Sequence, residues 1–236
     1  MNNALVIIPT YNEIGNVENI IRKVFSLPEA FDILIVDDDS PDKTAQKVKE
    51  LQSEFKGLHL LNRKGKQGLG TAYIAGFKYA LQHHYEYIFE MDCDFSHNPD
   101  DLVKLYKTCK DEGFDVAVGS RYVDNGGFRN WPINRLFMSK FASFYVEALL
   151  GMGIKDSTAG FICYKRKVLQ TIDLDDIRFV GYAFQIEMKF KAKLANFSIK
   201  EVPIVFTDRT IGESKMNKGI IKEAVWGVWK LRKEYL

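Results

Sequence analysis

The sequence predicts an α/β fold built on a mostly parallel sheet with helices on both faces. Three observations carry that expectation. Short apolar runs that are continuous rather than alternating recur through the first half of the chain, as in strands buried on both sides. Segments of helical periodicity separate them, and such alternation favours parallel pairing through crossover helices. Polar residues and glycines gather just after the apolar runs, at the strand ends where sheets of this kind hold ligands.

In chain order, residues 5–8 and 33–36 are the first two strands, and 58–61, 87–91 and 115–118 repeat the pattern. The helical-period segments are 17–25, 44–55, 71–83 and 100–110. Past Arg121 the character changes: a loop at 124–127 precedes Trp131-Pro132, which open a helix running to about Leu150. Its apolar stripe of Phe137, Phe141, Phe144, Ala148 and Leu149 is expected to cover the sheet. A turn at 156–160 leads into a further strand, 184–193 is helical, 199–206 is a strand, and 207–215 is a polar loop. Residues 217–236 form an amphipathic helix, with Ile220, Ile221, Ala224, Val225, Val228, Leu231 and Tyr235 on one side. Lys222, Lys230, Arg232 and Lys233 dominate its polar positions, and Trp226 and Trp229 could sit at a headgroup boundary.

The chain has 236 residues and a net charge of +2, enough for one large domain and no electrostatic case for a nucleic-acid partner. Its three cysteines are odd in number and lack metal-ligand spacing, which suits reduced thiols in a cytoplasm. The first residues lead straight into a strand, with no secretory signal expected. No apolar run approaches the roughly 18 residues of a membrane span, so a membrane, if involved, is met at its surface.

The stretch that organises the rest is 87–99, where a strand delivers Asp92 and Asp94 and then turns through Ser96, His97, Asn98 and Pro99. Two carboxylates two residues apart can meet one ion only if the backbone bends. Hard divalent cations take such oxygens together with those of phosphates. Alternatively, the pair merely caps the helix that follows. The other strand ends tip the balance: Pro9 to Glu13, Asp37 to Asp42, Arg63 to Thr71, and Gly119 to Tyr122 also place acids, bases or glycines on the same rim.

These same residues, in this order, resemble glycosyltransferase family 2. Within it they are similar to the dolichyl- or polyprenyl-phosphate mannosyltransferase branch whose catalytic subunits lack membrane spans. The likeness continues through Asn130-Trp131-Pro132, Asp156 to Phe161, Glu201 to Ile204 and Arg209 to Lys215. One departure is Cys93, where the family usually has alanine.

The resemblance implies a GT-A fold, with 1–122 as the nucleotide-sugar half, 123–216 as the acceptor half with a lid loop, and 217–236 as an appended helix. It places Pro9, Tyr11, Glu13, Val36 and Asp38 at the nucleoside, and Asp92, Cys93 and Asp94 at ribose, diphosphate and metal. Asp94 and Ser96 become the expected ligands of Mg²⁺ or Mn²⁺, and His97 is left structural. Arg209 and Lys215 are the cations that close on the donor diphosphate. Arg121, Arg135 and Ser139 are expected to cradle the acceptor phosphate. Asp94, Arg121, Arg209 and Lys215 together are the expected catalytic set.

The expected reaction moves mannose from GDP-mannose to a polyprenyl phosphate with inversion. A phosphate acceptor is already anionic at neutral pH and needs no side-chain base. Glu187 remains as a base should the acceptor be an alcohol. A UDP-hexose donor, or a non-catalytic nucleotide-sugar-binding subunit, are the alternatives. The expected location is the cytoplasmic face of a membrane, reached through the last helix or through a small anchoring partner.

Overall fold

The computed structural model describes residues 2–208 and 218–235, with the side chains of Asn134, Tyr182 and 218–225 outside that description. The elements run β1 (Ala4–Thr10), α1 (Val17–Phe25), β2 (Asp32–Asp37), α2 (Thr44–Leu51), β3 (Leu58–Asn62), α3 (Leu69–Gln82), β4 (Tyr87–Glu90), α4 (Asp101–Lys110) and β5 (Val116–Ser120). They continue with β6 (Gly127–Arg129), α5 (Ile133–Leu150), β7 (Ile162–Lys165), α6 (Arg166–Thr171), α7 (Tyr182–Leu194), β8 (Ile199–Pro203), β9 (Val205–Thr207) and α8 (Lys218–Tyr235).

Among the described residues, seven strands form one sheet in the order β3-β2-β1-β4-β7-β5-β8, and β6 pairs with β9 in a small second sheet. Every pairing in the large sheet is parallel except those of β7, which runs antiparallel between β4 and β5. The predicted mostly parallel sheet is therefore present.

Strand alternation explains how both faces are covered. On β1, Ala4, Val6 and Ile8 turn to one side, where Val17, Ile20, Ile21 and Val24 of α1 meet Leu102 and Leu105 of α4. Leu5 and Ile7 turn to the other side, against Tyr73 and Phe77 of α3 and Phe184 and Met188 of α7. Gly76 lets α3 lie close to β1, since a Cβ there would come within 2.6 Å of Ile7.

Three expectations need correction. The helix predicted over 44–55 stops at Leu51, and Phe55, the next apolar position in the pattern, instead stacks on Phe25 at 4.5 Å. The strand predicted over 199–206 divides at Ile204: β8 pairs with β5 as far as Pro203, and the chain then crosses to pair β9 with β6. The stripe of α5 does not cover the sheet, because Phe137, Phe141 and Phe144 are 68%, 70% and 71% exposed. Only the far end of α5 is packed, with Val146 and Leu150 joining Val228 and Leu231 of α8 and Ile186 and Phe190 of α7.

The described part of α8 thus docks on the domain through Val228 and Leu231, helped by Arg232 donating to the Leu149 carbonyl at 2.5 Å. The face it leaves to solvent holds Trp226 and Trp229. Ile220, Ile221, Lys222, Ala224 and Val225 fall among the undescribed side chains. No described helix is long and apolar enough to cross a membrane.

Candidate active site

β4 ends at Glu90, and the chain turns at once. Phe95 takes a left-handed φ of +59°, and the Ser96 N–H donates to Asp94 Oδ1 at 3.1 Å. This is the bend that a shared ion requires. Helix α4 begins only at Asp101, and Asp94 is engaged with Ser96, so the capping explanation for the pair fails. Ser96 Oγ is buried and has no protein partner. An orphaned hydroxyl oxygen beside a carboxylate that is 8% exposed fits a hard divalent cation. No group of three acidic, histidine or cysteine side chains placed to hold a metal ion occurs among the described residues; hard cations commonly take further oxygens from a bound phosphate or water.

Asp92 is half-exposed and lies near the Tyr73 hydroxyl, 3.5 Å from Oδ1. Burial, with the Asp92 charge beside it, holds the Tyr73 phenol well above its ordinary range. Cys93 turns into the core. His97 stacks on Phe161 at 4.8 Å, and its Nδ1 accepts from the Asp92 N–H at 3.3 Å. Burial pushes its pKa down from 6.5 to about 4, so the ring is neutral near pH 7. Its stabilising contribution is then complete above about pH 6.5 and is lost as the pH falls toward 4, because the unfolded chain binds that proton more tightly. Thermal melts of the metal-free protein should lose on the order of 2–3 kcal/mol over that interval. The loss should shrink in His97→Gln; an unchanged profile would exclude His97 as its source.

The residues expected at the nucleoside occupy the neighbouring strand ends. Pro9 pairs with Val36 and Thr10 with Asp37, which puts Tyr11 and Glu13 beside Asp38 on the rim. Thr10 Oγ1 and Ser40 Oγ both donate to Asp37, and the Asn12 N–H donates to Ser40 Oγ, so the two strand ends are tied together. The Val36 side chain is in the core. Asp38 accepts from Arg63 Nε at 2.6 Å and from the Gln67 N–H at 3.2 Å, which fixes the loop after β3. Lys66 of that loop sits over the Tyr11 ring at 4.9 Å. Gly68 (φ +101°) and Gly70 bring the start of α3 against the 179–180 backbone, where Gly70 N–H donates to the Val180 carbonyl at 2.9 Å.

On the other side of Asp92 lies a cavity of about 410 Å³. Asp92, Ser96, His97, Arg121, Arg135 and Ser139 contribute its polar wall, and α5 and α8 contribute apolar wall through Met138, Phe141 and Val228. The structure thus brings the expected acceptor-phosphate trio next to the Asp92–Ser96 turn.

Arg121 is fixed more firmly than its sequence context suggested. Nε and Nη2 grip Asp156 at 2.7 and 2.6 Å, its own N–H donates to Asp156 at 2.9 Å, and Nη2 reaches Thr158 Oγ1 at 2.9 Å. Its guanidinium carbon is 5.6 Å from the ring centres of Tyr122, Phe128, Trp131 and Phe206. Asp156 is fully buried and is itself placed by Glu201, which accepts from the Asp156 and Lys155 N–H groups at 2.9 Å. Arg135 lies 4.2 Å over Trp131 and pairs with Asp208 at 2.8 Å, and Ser139 accepts from the Tyr122 hydroxyl at 2.7 Å. Sequence reasoning missed this aromatic enclosure; the signal available was the need of any buried arginine for a carboxylate.

Glu187 points elsewhere. It is buried on the inner side of α7 and accepts from the Arg178 and Phe179 N–H groups at 3.0 and 3.2 Å. It secures the loop before α7 and does not line the cavity. The alcohol-acceptor base suggested by its sequence position is therefore not found there. Arg209 and Lys215 lie outside the described residues.

Comparison with known proteins follows the same lines. Residues 5–173 match the family described as Glycosyl transferase family 2. The chain is 46% identical over 232 residues to the polyprenol monophosphomannose synthase of Mycolicibacterium smegmatis, covering 97% of this chain and 87% of that protein. It is 41% identical over 230 residues to the undecaprenyl-phosphate mannosyltransferase of Micrococcus luteus, covering 95% and 94%. A mannosyltransferase from Pyrobaculum calidifontis, solved with GDP-Man and Mn²⁺, shares the fold at a TM-score of 0.59 and 17% identity, over 98% of this chain and 60% of that one.

Proposed function

The chain belongs to glycosyl transferase family 2, and from that premise we propose that it transfers mannose from GDP-mannose to a polyprenyl phosphate with inversion at the anomeric carbon. Support comes from two relatives above 40% identity, matched over nearly their whole length, whose names state mannosyl transfer to a polyprenyl phosphate or synthesis of its mannosyl product. The observation that carries the reading is the two-ended cavity. Arg121, Arg135 and Ser139 offer an anionic headgroup its cations and a hydroxyl, and the apolar α5–α8 wall continues from them. An amphiphile with a phosphate head matches both ends.

In this reading the rim formed by Pro9, Tyr11, Glu13, Val36 and Asp38 receives the nucleoside, and Asp92 and Cys93 meet ribose and diphosphate. Asp94 and Ser96 hold Mg²⁺ or Mn²⁺, which supplies neutralisation of charge on the departing nucleoside diphosphate. Arg209 and Lys215 add their charges from the segment that follows Asp208. Arg121, immobilised by Asp156, sets the acceptor phosphate, whose second pKa near 6 leaves it a competent nucleophile at about pH 7. An oxygen of that phosphate bonds to the anomeric carbon as the bond to the diphosphate breaks, and the electron pair leaves with GDP. Among the described cavity residues Asp92 is the only acid, which suits an acceptor that has no proton to give up.

Membrane contact is assigned to the exposed ridge of α5, with the exposed Trp226 and Trp229 of α8 as further apolar surface. Ile133, Phe137, Met138, Phe141 and Phe144 form an apolar surface next to the cavity in a protein whose acceptor is a lipid. Flotation with anionic liposomes should be lost in a Phe137→Ser/Phe141→Ser/Phe144→Ser variant. Flotation unchanged by these substitutions would remove the assignment, and no flotation of the unmodified chain would point to an anchoring partner.

A radiolabelled donor screen tests the function. With polyprenyl phosphate and Mg²⁺ or Mn²⁺, GDP-mannose should be turned over well ahead of UDP-glucose and UDP-N-acetylglucosamine. Preference for a UDP donor contradicts the assignment of mannose, and no transfer from any donor contradicts catalysis itself.

A further inference from the structure

We infer that Gln185 recognises a hydroxyl of the transferred hexose, accepting it on Oε1 while Glu90 holds the other end of the amide. The inference rests on the proposed transfer reaction and concerns how the same cavity selects its sugar.

Gln185, in the first turn of α7, is 3% exposed and yet lines the cavity together with Asp92 and Gly160. Its Nε2 donates to Glu90 Oε2. Oε1 is buried and has no protein partner. Glu90 closes β4 and is itself fully buried, two residues before Asp92, so the amide is anchored to the strand that delivers the carboxylate pair. Gly160 lies beside the amide, where a Cβ would stand 3.4 Å from Gln185 Nε2.

A buried carbonyl oxygen to which the protein offers no donor is unusual, and a hydroxyl of a bound ligand can supply one in place of water. The ligand group must carry a hydrogen. Phosphate oxygens at neutral pH do not, so neither the donor diphosphate nor the acceptor phosphate can satisfy Oε1. The part of the cavity between Asp92 and Arg121 has to hold the group passing from one phosphate to the other, which is a polyol rich in hydroxyl donors. An amide is also inert as a base, so Gln185 can bind a hydroxyl there without competing for the glycosyl group. A polar group placed to bond one hydroxyl rejects the analogue lacking it far more strongly than an apolar pocket would.

The test pairs variants with GDP-mannose and its 2-, 3-, 4- and 6-deoxy analogues, reading kcat and KM for each. The unmodified enzyme should lose on the order of 10⁴-fold in kcat/KM on one analogue. Gln185→Met should lose a similar factor on GDP-mannose itself and show no further loss on that analogue. Gln185→Glu keeps an oxygen toward the cavity and can share a proton with Glu90, so it should retain the discrimination. If Gln185→Met does not fold, Gln185→Asn, which withdraws the oxygen, carries the same expectation. A Met or Asn variant that still discriminates among the analogues as sharply as the unmodified enzyme overturns the inference. If GDP-mannose is not the donor, the deoxy series is run on whichever UDP-sugar is turned over; turnover of none overturns the proposed function and this inference together.

Discussion

Asp94→Asn should lower kcat/KM for mannosyl transfer by at least ~10³-fold, corresponding to about 4 kcal/mol of transition-state stabilisation. The substitution removes one anionic ligand of a hard cation and keeps an oxygen in the same place. The Ser96 N–H that now donates to Asp94 Oδ1 at 3.1 Å still has an acceptor, so the turn and the melting temperature should be preserved. Activity of the unmodified enzyme should likewise vanish with chelator and return with Mg²⁺ or Mn²⁺. Retention of a tenth or more of activity in the variant, or insensitivity to chelator, would remove the metal from Asp94.

Arg121→Ala should cost the fold as well as the reaction. Asp156 is fully buried and takes two hydrogen bonds and a compensating charge from the Arg121 guanidinium, which truncation removes, leaving only the bond from the Arg121 backbone N–H to a buried carboxylate. Breaking a buried pair in this way destabilises by about 3–5 kcal/mol. Urea melts should show that loss, and replacing Asp156 by Asn in the same chain should recover part of it. Arg135→Ala is the contrast. Its pair with Asp208 is 26% and 30% exposed, so the stability change should stay under about 1 kcal/mol. Its effect should fall on catalysis, raising the KM for polyprenyl phosphate more than that for the donor. Equal stability losses in the two variants would contradict the distinction drawn between them.

The difference between these arginines shows where the sequence stops being readable. Strand runs and helix periods place β1 to β5 and α1 to α4 because each is a local pattern, and the rim chemistry follows from their ends. The position of Asp92, Asp94, Ser96 and Arg121 at the strand ends was legible for that reason. Asp156 and Gln185 were not, since their roles depend on β7 entering the sheet antiparallel between β4 and β5, a long-range choice that no local period encodes. The exposed phenylalanines of α5 mislead in the opposite sense: helical spacing reports an apolar face and cannot say whether protein or lipid covers it. Glu187, offered as a base only for an alcohol acceptor, faces the 178–179 backbone, and Gln185 two residues earlier is the one that α7 turns toward the cavity.

In the proposed reaction the acceptor is a phosphate acting as nucleophile without a side-chain base. The most direct measurement offers the purified protein GDP-mannose with polyprenyl phosphate or with the corresponding polyprenol, in the same liposomes and at the same pH. Transfer to the phosphate alone, giving a mannosyl phosphodiester, is the expected result. Comparable transfer to the free alcohol would contradict it, since that reaction needs a base and the one carboxylate lining the described cavity, Asp92, is assigned to the donor.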